Sequence, residues 1–265
     1  MSVVGLLGLS ETARRKFFEA HGVDIKHAET HQEERNRTWH QMITDQLFAK
    51  KMRYFDHISL WSGDERLAFT FNDWDVNKQS NQLQAKVVGN RCFQLAKELT
   101  VDNFNVALLG KPGVGKTSLA LAMLDAAHGK HKTTMFVSTM AFMLLLDKQT
   151  RAKDYLLSSR IDEIIAAMKR VDVLLLDDFG TEGGMKRDIR PVRKDMQDRI
   201  FAIADARLAT IKDEDGNKRR TKSTIITTNN TPQQLLEMYN EKVISRLLPH
   251  DEERLVQFDG LEDVR

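Results

Sequence analysis

The sequence predicts an α/β domain built around a five-stranded, mostly parallel sheet. From about residue 101, short apolar runs alternate with longer stretches of helical periodicity, which is typical of strands joined by helical crossovers. The runs that end at Leu109 and Leu176 are continuously apolar, as expected for strands covered on both faces. The five predicted strands cover residues 105–109, 134–137, 173–176, 224–228 and 254–258.

The chain of 265 residues is long enough for one or two domains with their own cores, and we expect three regions. Residues 1–65 are predicted to form a small, mainly helical module that binds a partner. Residues 66–100 are a linker and a helix leading into the core. This helix is expected over 77–99, with Gly89 in its interior. Residues 101–265 form the α/β domain.

Composition excludes several classes of protein. Hydrophobic residues make up 41% and charged residues 29%, which indicates a globular chain. No run approaches ~18 apolar residues, so we expect no membrane span. The single cysteine, Cys92, excludes an internal disulfide or a cysteine-rich zinc site and fits a reducing compartment such as the cytoplasm. The net charge is +2, but residues 185–222 carry 12 Lys/Arg against 7 Asp/Glu. This basic segment is either a contact for a polyanion or a solvated helix face.

A glycine-rich loop of the form G-x-x-x-x-G-K-[ST] directly follows the first predicted strand. Its glycines let the backbone curl around a phosphate, and its amides and the start of the next helix donate hydrogen bonds to that anion. Lys116 adds a positive charge for the β- and γ-phosphates, and Thr117 offers its hydroxyl to Mg²⁺. The expected nucleotide-binding residues are Gly110, Lys111, Pro112, Gly113, Val114, Gly115, Lys116, Thr117 and Ser118.

Polar side chains follow two of the predicted strands. The third strand ends in Asp177 and Asp178, and two adjacent acids at a strand end are costly unless they meet a cation or hydrogen-bond donors. We expect Asp177 to hold Mg²⁺, directly or through water, and Asp178 to orient or deprotonate the attacking water. Asn229 follows the fourth strand and is expected to reach the γ-phosphate or that water. The alternative for each residue is an ordinary polar turn.

Four segments in this order resemble the AAA+ ATPases, and more narrowly their DnaC/IstB branch of bacterial and phage helicase loaders and transposition helper ATPases. They are the loop at 110–117 and residues 174–180, 225–229 and 243–247, and the resemblance covers roughly residues 69–265. It implies a sheet order of 5-1-4-3-2 counted along the chain, with ATP and Mg²⁺ as cofactors.

The resemblance also assigns roles to single residues. It implies that Asn229 senses the γ-phosphate and that Arg246 is an arginine finger, offered to ATP on a neighbouring subunit when the protein self-associates. Arg265 matches a second arginine sensor. For Arg246 the alternative is a surface arginine at a helix end.

By the same resemblance, the helical stretch between the second and third strands binds single-stranded DNA, and the N-terminal module docks onto a replicative helicase. The residues expected to contact DNA are Lys148, Arg151, Lys153, Arg160 and Lys169. The resulting hypothesis is an ATP-dependent helicase loader acting in the cytoplasm of a bacterium or a phage host.

Two alternatives stay open. One is an IstB-like transposition helper ATPase that binds duplex DNA and a transposase. The other is an ATP-binding adaptor with little hydrolysis, because most AAA+ proteins carry glutamate where this chain has the shorter Asp178.

Overall fold

A computed structural model describes residues 34, 36–38, 53–63, 65–152, 154–184, 189–213 and 215–264. The chain divides into two units, Met1–Lys50 and Lys51–Arg265. The described residues of the first unit are helical, as are residues 53–57 of the second. Most of the module predicted at 1–65 lies outside the described residues, so its helical character and its partner-binding role stay predictions.

Strands and helices alternate along the second unit. The strands are β1 (Val106–Leu109), β2 (Thr134–Ser138), β3 (Val173–Asp177), β4 (Thr210–Lys212), β5 (Lys218–Arg220), β6 (Ser223–Thr228) and β7 (Leu255–Gln257). The helices are α1 (Gln82–Val101), α2 (Lys116–His128), α3 (Thr139–Ala152), α4 (Tyr155–Arg170), α5 (Lys194–Arg207), α6 (Pro232–Met238) and α7 (Glu241–Leu247). Across the described ranges, no helix is both long and apolar enough to cross a bilayer.

The main sheet has five strands in the order β2-β3-β6-β1-β7, and every neighbouring pair is parallel. Numbered within the sheet, this order is 2-3-4-1-5, which confirms the predicted 5-1-4-3-2 read from the other edge. β6 therefore lies between β1 and β3, with Ile225 beside Val106 and Ile226 beside Leu176. Because the strands are parallel, the polar residues that follow β1, β3 and β6 meet at one edge of the sheet.

The core explains why β3 is continuously apolar. Leu174 and Leu176 pack on one face of the sheet, and Val173 and Leu175 pack on the other. All four side chains are fully buried, because helices cover both faces. Because successive side chains of a strand point to opposite faces, and both faces are covered, each of these four positions of β3 needs an apolar residue.

The first helix of the core differs from the prediction of 77–99. α1 begins at Gln82 because the side chain of Asn81 accepts a hydrogen bond from the Gln84 amide, which caps the helix there. Residues Val76–Lys78 form a separate 3₁₀ turn. Gly89 has a packing role inside α1, since a Cβ there would lie 2.7 Å from Nε1 of Trp74.

A β-hairpin lies outside the main sheet. β4 and β5 pair in antiparallel fashion around Gly216, which has φ +82°, and their residues are mostly exposed. The sequence indicates an Asp215–Gly216 turn followed by the basic Lys218–Arg220, either a phosphate contact or an exposed hairpin tip, and the structure has a hairpin here. Three-residue strands with charged side chains lack the apolar alternation that identifies a strand.

A buried arginine joins the amino ends of β3 and β6. The Arg207 guanidinium, at the end of α5, donates hydrogen bonds to the carbonyls of Met168, Val171, Asp172 and Ser223 and to the Thr224 hydroxyl. Burial lowers the pKa of Arg207 to about 9, and the charge of Asp172 acts in the opposite direction. The side chain therefore stays charged at neutral pH and satisfies carbonyls that water does not reach.

We expect Arg207→Met to lower the free energy of unfolding by about 3–5 kcal/mol, because removing one partner leaves several buried carbonyls without a donor. Arg170→Met, at an exposed position one residue before Val171, should cost less than about 0.5 kcal/mol. Urea unfolding at pH 7 measures both. A loss of stability below about 1 kcal/mol for Arg207→Met would contradict the role of this residue as a joint.

Candidate nucleotide-binding site

The phosphate loop connects β1 to α2, as predicted. Gly113 and Gly115 have φ of +79° and +91°, a region that side chains with a Cβ rarely adopt. These conformations let the loop curl between β1 and α2, the geometry in which loop amides and a helix N-terminus offer hydrogen bonds to an anion. Gly113 and Gly115 thus let the backbone turn, as the sequence predicts for the glycines of this loop.

Lys116 is the buried cation of this loop, with 5% of its surface exposed. Its Nζ donates to the Lys111 carbonyl and to Oδ1 of Asn229, both at 2.7 Å. The structure therefore brings together Lys116 and Asn229, which follow different strands of the sheet. A γ-phosphate bound here would meet the ammonium group and the amide side chain at the same time.

Asp177 lies at the end of β3 and is also buried. Its Oδ1 accepts hydrogen bonds from the Thr117 hydroxyl at 2.9 Å and from the Thr227 hydroxyl at 2.7 Å. Thr117 and Asp177, the two predicted metal ligands, are therefore in contact. Thr227 was not predicted as part of the site, although it lies in the same Thr-Thr-Asn segment as Asn229.

Asp178 has a backbone conformation that is rare for a residue with a side chain, with φ +55°. Its amide donates to the Thr227 hydroxyl at 2.9 Å, so the same hydroxyl contacts both aspartates. Strained positions of this kind cluster at functional sites.

The donor set fits Mg²⁺. A buried carboxylate beside a hydroxyl is an oxygen-only pair, which is the ligand type that this ion prefers. Burial raises the pKa of Asp177 to about 6, and the neighbouring charge of Asp178 adds to this, although the Thr227 hydroxyl opposes it. Asp177 is thus a carboxylate that a cation would stabilise, and Thr117 and Asp177 are the residues that would hold Mg²⁺ next to a bound triphosphate.

The raised pKa of Asp177 gives a testable pH dependence. Between about pH 4 and pH 6 the native state binds more protons than the unfolded chain, so stability falls as pH rises through this window. Asp177→Asn cannot ionise and therefore does not lose this stability. The unfolding free energy of the variant minus that of wild type should increase by about 2 kcal/mol from pH 4 to pH 7. Denaturant unfolding with EDTA and without nucleotide measures the difference. A difference that is independent of pH would contradict the ionisation of a buried Asp177.

A polar network supports the turn after Asp178. The carboxylate of Glu182 accepts hydrogen bonds from the Tyr239 hydroxyl, from the Thr139 hydroxyl at 3.0 Å and from the Gly180 amide at 3.1 Å. Burial raises the pKa of Glu182, and Tyr239 stacks on Phe179 with ring centroids 4.7 Å apart. Thr139, the first residue of α3, also lies within hydrogen-bonding distance of the Asp178 carbonyl, at 3.1 Å. The start of α3 thus contacts the turn that holds both aspartates.

Trp74 flanks the phosphate loop on its other side. A Cβ at Gly115 would lie 2.6 Å from Cζ3 of Trp74, so the indole ring rests on this glycine. Its Nε1 donates to the Ala85 carbonyl of α1 at 3.1 Å, which fixes the ring. Sequence reasoning missed this contact, because aromatic residues before a helix are usually core residues.

Arg246 lies far from the phosphate loop of its own chain. The Asn105 side chain, at the amino end of β1, donates to the Arg246 carbonyl at 2.8 Å, whereas the loop follows the carboxyl end of this strand. The guanidinium pairs with Asp205 at 2.8 Å and lies over the Phe201 ring at 4.6 Å. A role at a nucleotide would therefore need a second protomer. Arg265, the other predicted arginine sensor, lies outside the described residues.

The residues expected to contact DNA lie on α3 and α4, which the Asp154 cap separates. Lys148, Arg151 and Arg160 are exposed near the junction of the two helices. Lys169 lies at the opposite end of α4, about 20 Å from the junction at 1.5 Å per residue. Lys153 is outside the described residues. The junction also carries Tyr155, which is 90% exposed and available for stacking.

Comparisons with known proteins identify the family of this chain and proteins of similar fold. The family described as IstB-like ATP binding protein matches residues 15–248. A structure of the replication initiator DnaA bound to AMPPCP and single-stranded DNA is similar in fold, at 20% identity and a TM-score of 0.50. The match covers 71% of this chain and 49% of DnaA, so it spans about half of that protein.

Two smaller proteins also match. A structure of DnaI has 18% identity and a TM-score of 0.49, with 74% of this chain and 90% of that chain covered. A structure of the DnaC helicase loader has 23% identity and a TM-score of 0.45, with 64% and 90% covered. No curated protein matches the sequence.

Proposed function

The chain belongs to the family of IstB-like ATP-binding proteins, and on this premise we propose that it is an ATP-dependent helicase loader in DNA replication. As a member of this family it is a P-loop ATPase of the AAA+ type. The proposal adds what the ATP site controls: the binding of single-stranded DNA and of a replicative helicase in the cytoplasm, with Mg²⁺ as the second cofactor.

One observation carries the proposal: the nucleotide site is connected to α3. Thr139 begins α3 and contacts both Glu182 and the carbonyl of Asp178. A change in the position of Asp178 when ATP binds or is hydrolysed would therefore act directly on the first turn of α3. The other end of this helix carries the exposed Lys148 and Arg151 beside Tyr155, which are suited to the phosphates and bases of a single strand.

The residues of the site have separate roles in hydrolysis. Lys116 neutralises charge on the β- and γ-phosphates, and Asn229 contacts the γ-phosphate. Mg²⁺ held by Thr117 and Asp177 would supply a further positive charge to the phosphate oxygens. Asp178 orients the attacking water and accepts its proton. Because aspartate is shorter than glutamate, we expect slow turnover, which suits a switch that is timed by nucleotide.

The family itself favours a second candidate function, a transposition helper ATPase that assembles on duplex DNA and recruits a transposase. The two candidates predict different partners and different DNA. The full chain, tagged and incubated with ATP in a lysate of its source cells, should retain the replicative helicase. Recovery of a transposase without helicase would reverse the order of the two candidates.

A DNA-binding experiment separates the candidates without a lysate. The full chain with ATP should bind a single-stranded oligonucleotide more tightly than the duplex of the same sequence. Changing Lys148, Arg151 and Arg160 together to alanine should reduce the salt slope for the single strand by about 2, at ~0.7 for each phosphate that is no longer neutralised. Preference for the duplex, or an unchanged slope, would count against a loader that binds DNA through the α3–α4 junction.

A further inference from the structure

The segment at 258–264 returns to the phosphate loop after the last strand of the sheet. The Phe258 amide donates to the Leu109 carbonyl at 2.8 Å, which extends the pairing of β7 with β1 up to the loop. Phe258 and Leu261 are buried in the core, and Gly260, with φ +76°, makes the turn between them. These anchors fix where the following residues lie.

Asp263 lies directly against the phosphate loop. The carboxyl group of Asp263 occupies the space next to Gly113 that a Cβ at this position would take. The Val264 amide donates to the Gly113 carbonyl at 3.3 Å, so the backbone on the other side of Asp263 is also held to the loop. A negative charge thus contacts the middle of the loop that the sequence predicts for the phosphates of ATP.

Gln79 holds this segment in place through its side chain. Its Nε2 donates to the Glu262 carbonyl at 2.9 Å, and its Oε1 accepts from the Glu262 amide at 2.8 Å. Gln79 is 3% exposed and follows the turn after Trp74, whose ring rests on Gly115. Gln79 and Trp74 belong to one segment, and Glu262 and Asp263 belong to the other. The two segments that flank the phosphate loop are therefore joined to each other beside it.

We propose that Asp263 competes with the triphosphate of ATP for the phosphate loop and so sets the affinity of the site for nucleotide. A loop whose amides attract anions also attracts a carboxylate, and a carboxylate that stays beside Gly113 repels the phosphates. Nucleotide binding therefore requires Asp263 to leave Gly113 and loosens the hold of Gln79 on Glu262. This inference rests on the ATP site and is independent of helicase loading.

The direct test measures the equilibrium binding of a fluorescent ATP analogue with Mg²⁺ to the full chain. Asp263→Asn should raise the affinity about five-fold, mainly through faster association, because the repulsion between like charges is removed. Asp259→Asn makes the same charge change at an exposed position of the same segment and should leave the affinity unchanged. Equal or lower affinity for Asp263→Asn would overturn the proposal, and an affinity that falls only when Mg²⁺ is present would make Asp263 a metal ligand instead.

Hydrogen exchange on the unmodified chain provides a second test. The amides of Glu262 and Val264 donate to Gln79 and Gly113, and both should exchange faster when ATP and Mg²⁺ are bound. Stronger protection of these amides with ATP would overturn the displacement. If the chain did not load a helicase, the expected results of both tests would be the same. If the chain did not bind ATP, no variant would bind the nucleotide.

Discussion

Changing Lys116 to alanine is expected to reduce ATP affinity by about 100-fold or more. The triphosphate carries several negative charges, and Lys116 is the buried cation whose ammonium already lies between the loop and Asn229. Charge-assisted hydrogen bonds of this kind are about twice as strong as neutral ones. Isothermal titration with ATP and Mg²⁺ measures the decrease in affinity.

Lys130→Ala is the matched control for this variant. Lys130 is exposed just beyond the carboxyl end of α2, whereas the loop precedes its amino end, so the replacement removes one positive charge without touching the loop. It should bind ATP with an affinity within about two-fold of wild type. Unchanged affinity of Lys116→Ala would show that the nucleotide does not bind at the phosphate loop.

Changing Arg246 to alanine is expected to leave ATP binding intact and to lower ATP turnover by about 10³-fold under conditions where the protein assembles. The Arg246 carbonyl lies at the amino end of β1, away from the loop of its own chain, so the decrease should appear only when one protomer completes the site of another. The exposed ion pair with Asp205 is worth less than about 1 kcal/mol, so the variant should fold normally. Steady-state ATPase assays over a range of protein concentration test this.

Lys242→Ala on the same helix serves as the control, because Lys242 is exposed and one turn away from Arg246. It should retain wild-type turnover at every concentration. If Arg246→Ala were equally impaired in dilute, monomeric protein, the residue would act within its own chain and the finger assignment would be wrong.

The sequence predicted the parts of the site that follow from local patterns. The spacing of glycine, lysine and threonine between Gly110 and Ser118 is typical of a phosphate loop and rare elsewhere. β3 ends in carboxylates at a position where their burial is costly. The strand order came from the resemblance and is confirmed, and each strand of the main sheet was placed to within one residue at both ends. The contact between Lys116 and Asn229 follows directly from that order.

The remaining parts depend on contacts that no local pattern encodes. Thr227 contacts both aspartates only because β6 lies beside β3, and a threonine inside a strand is usually interpreted as a β-former. Gln79 and Glu262 are 183 positions apart in the chain. Arg207 belongs to the basic run at 185–222, for which a surface role was expected, yet it is buried. Hydrophobic periodicity does not predict such polar contacts.

The joint at Arg207 has a mechanical consequence. Five hydrogen bonds from one guanidinium hold together the amino ends of β3 and β6, at the edge of the sheet opposite the phosphate loop. Under the proposed coupling of nucleotide to α3, we therefore expect movement at the carboxyl edge of the sheet, where Thr139 contacts the Asp178 carbonyl, and little movement at the edge that Arg207 holds.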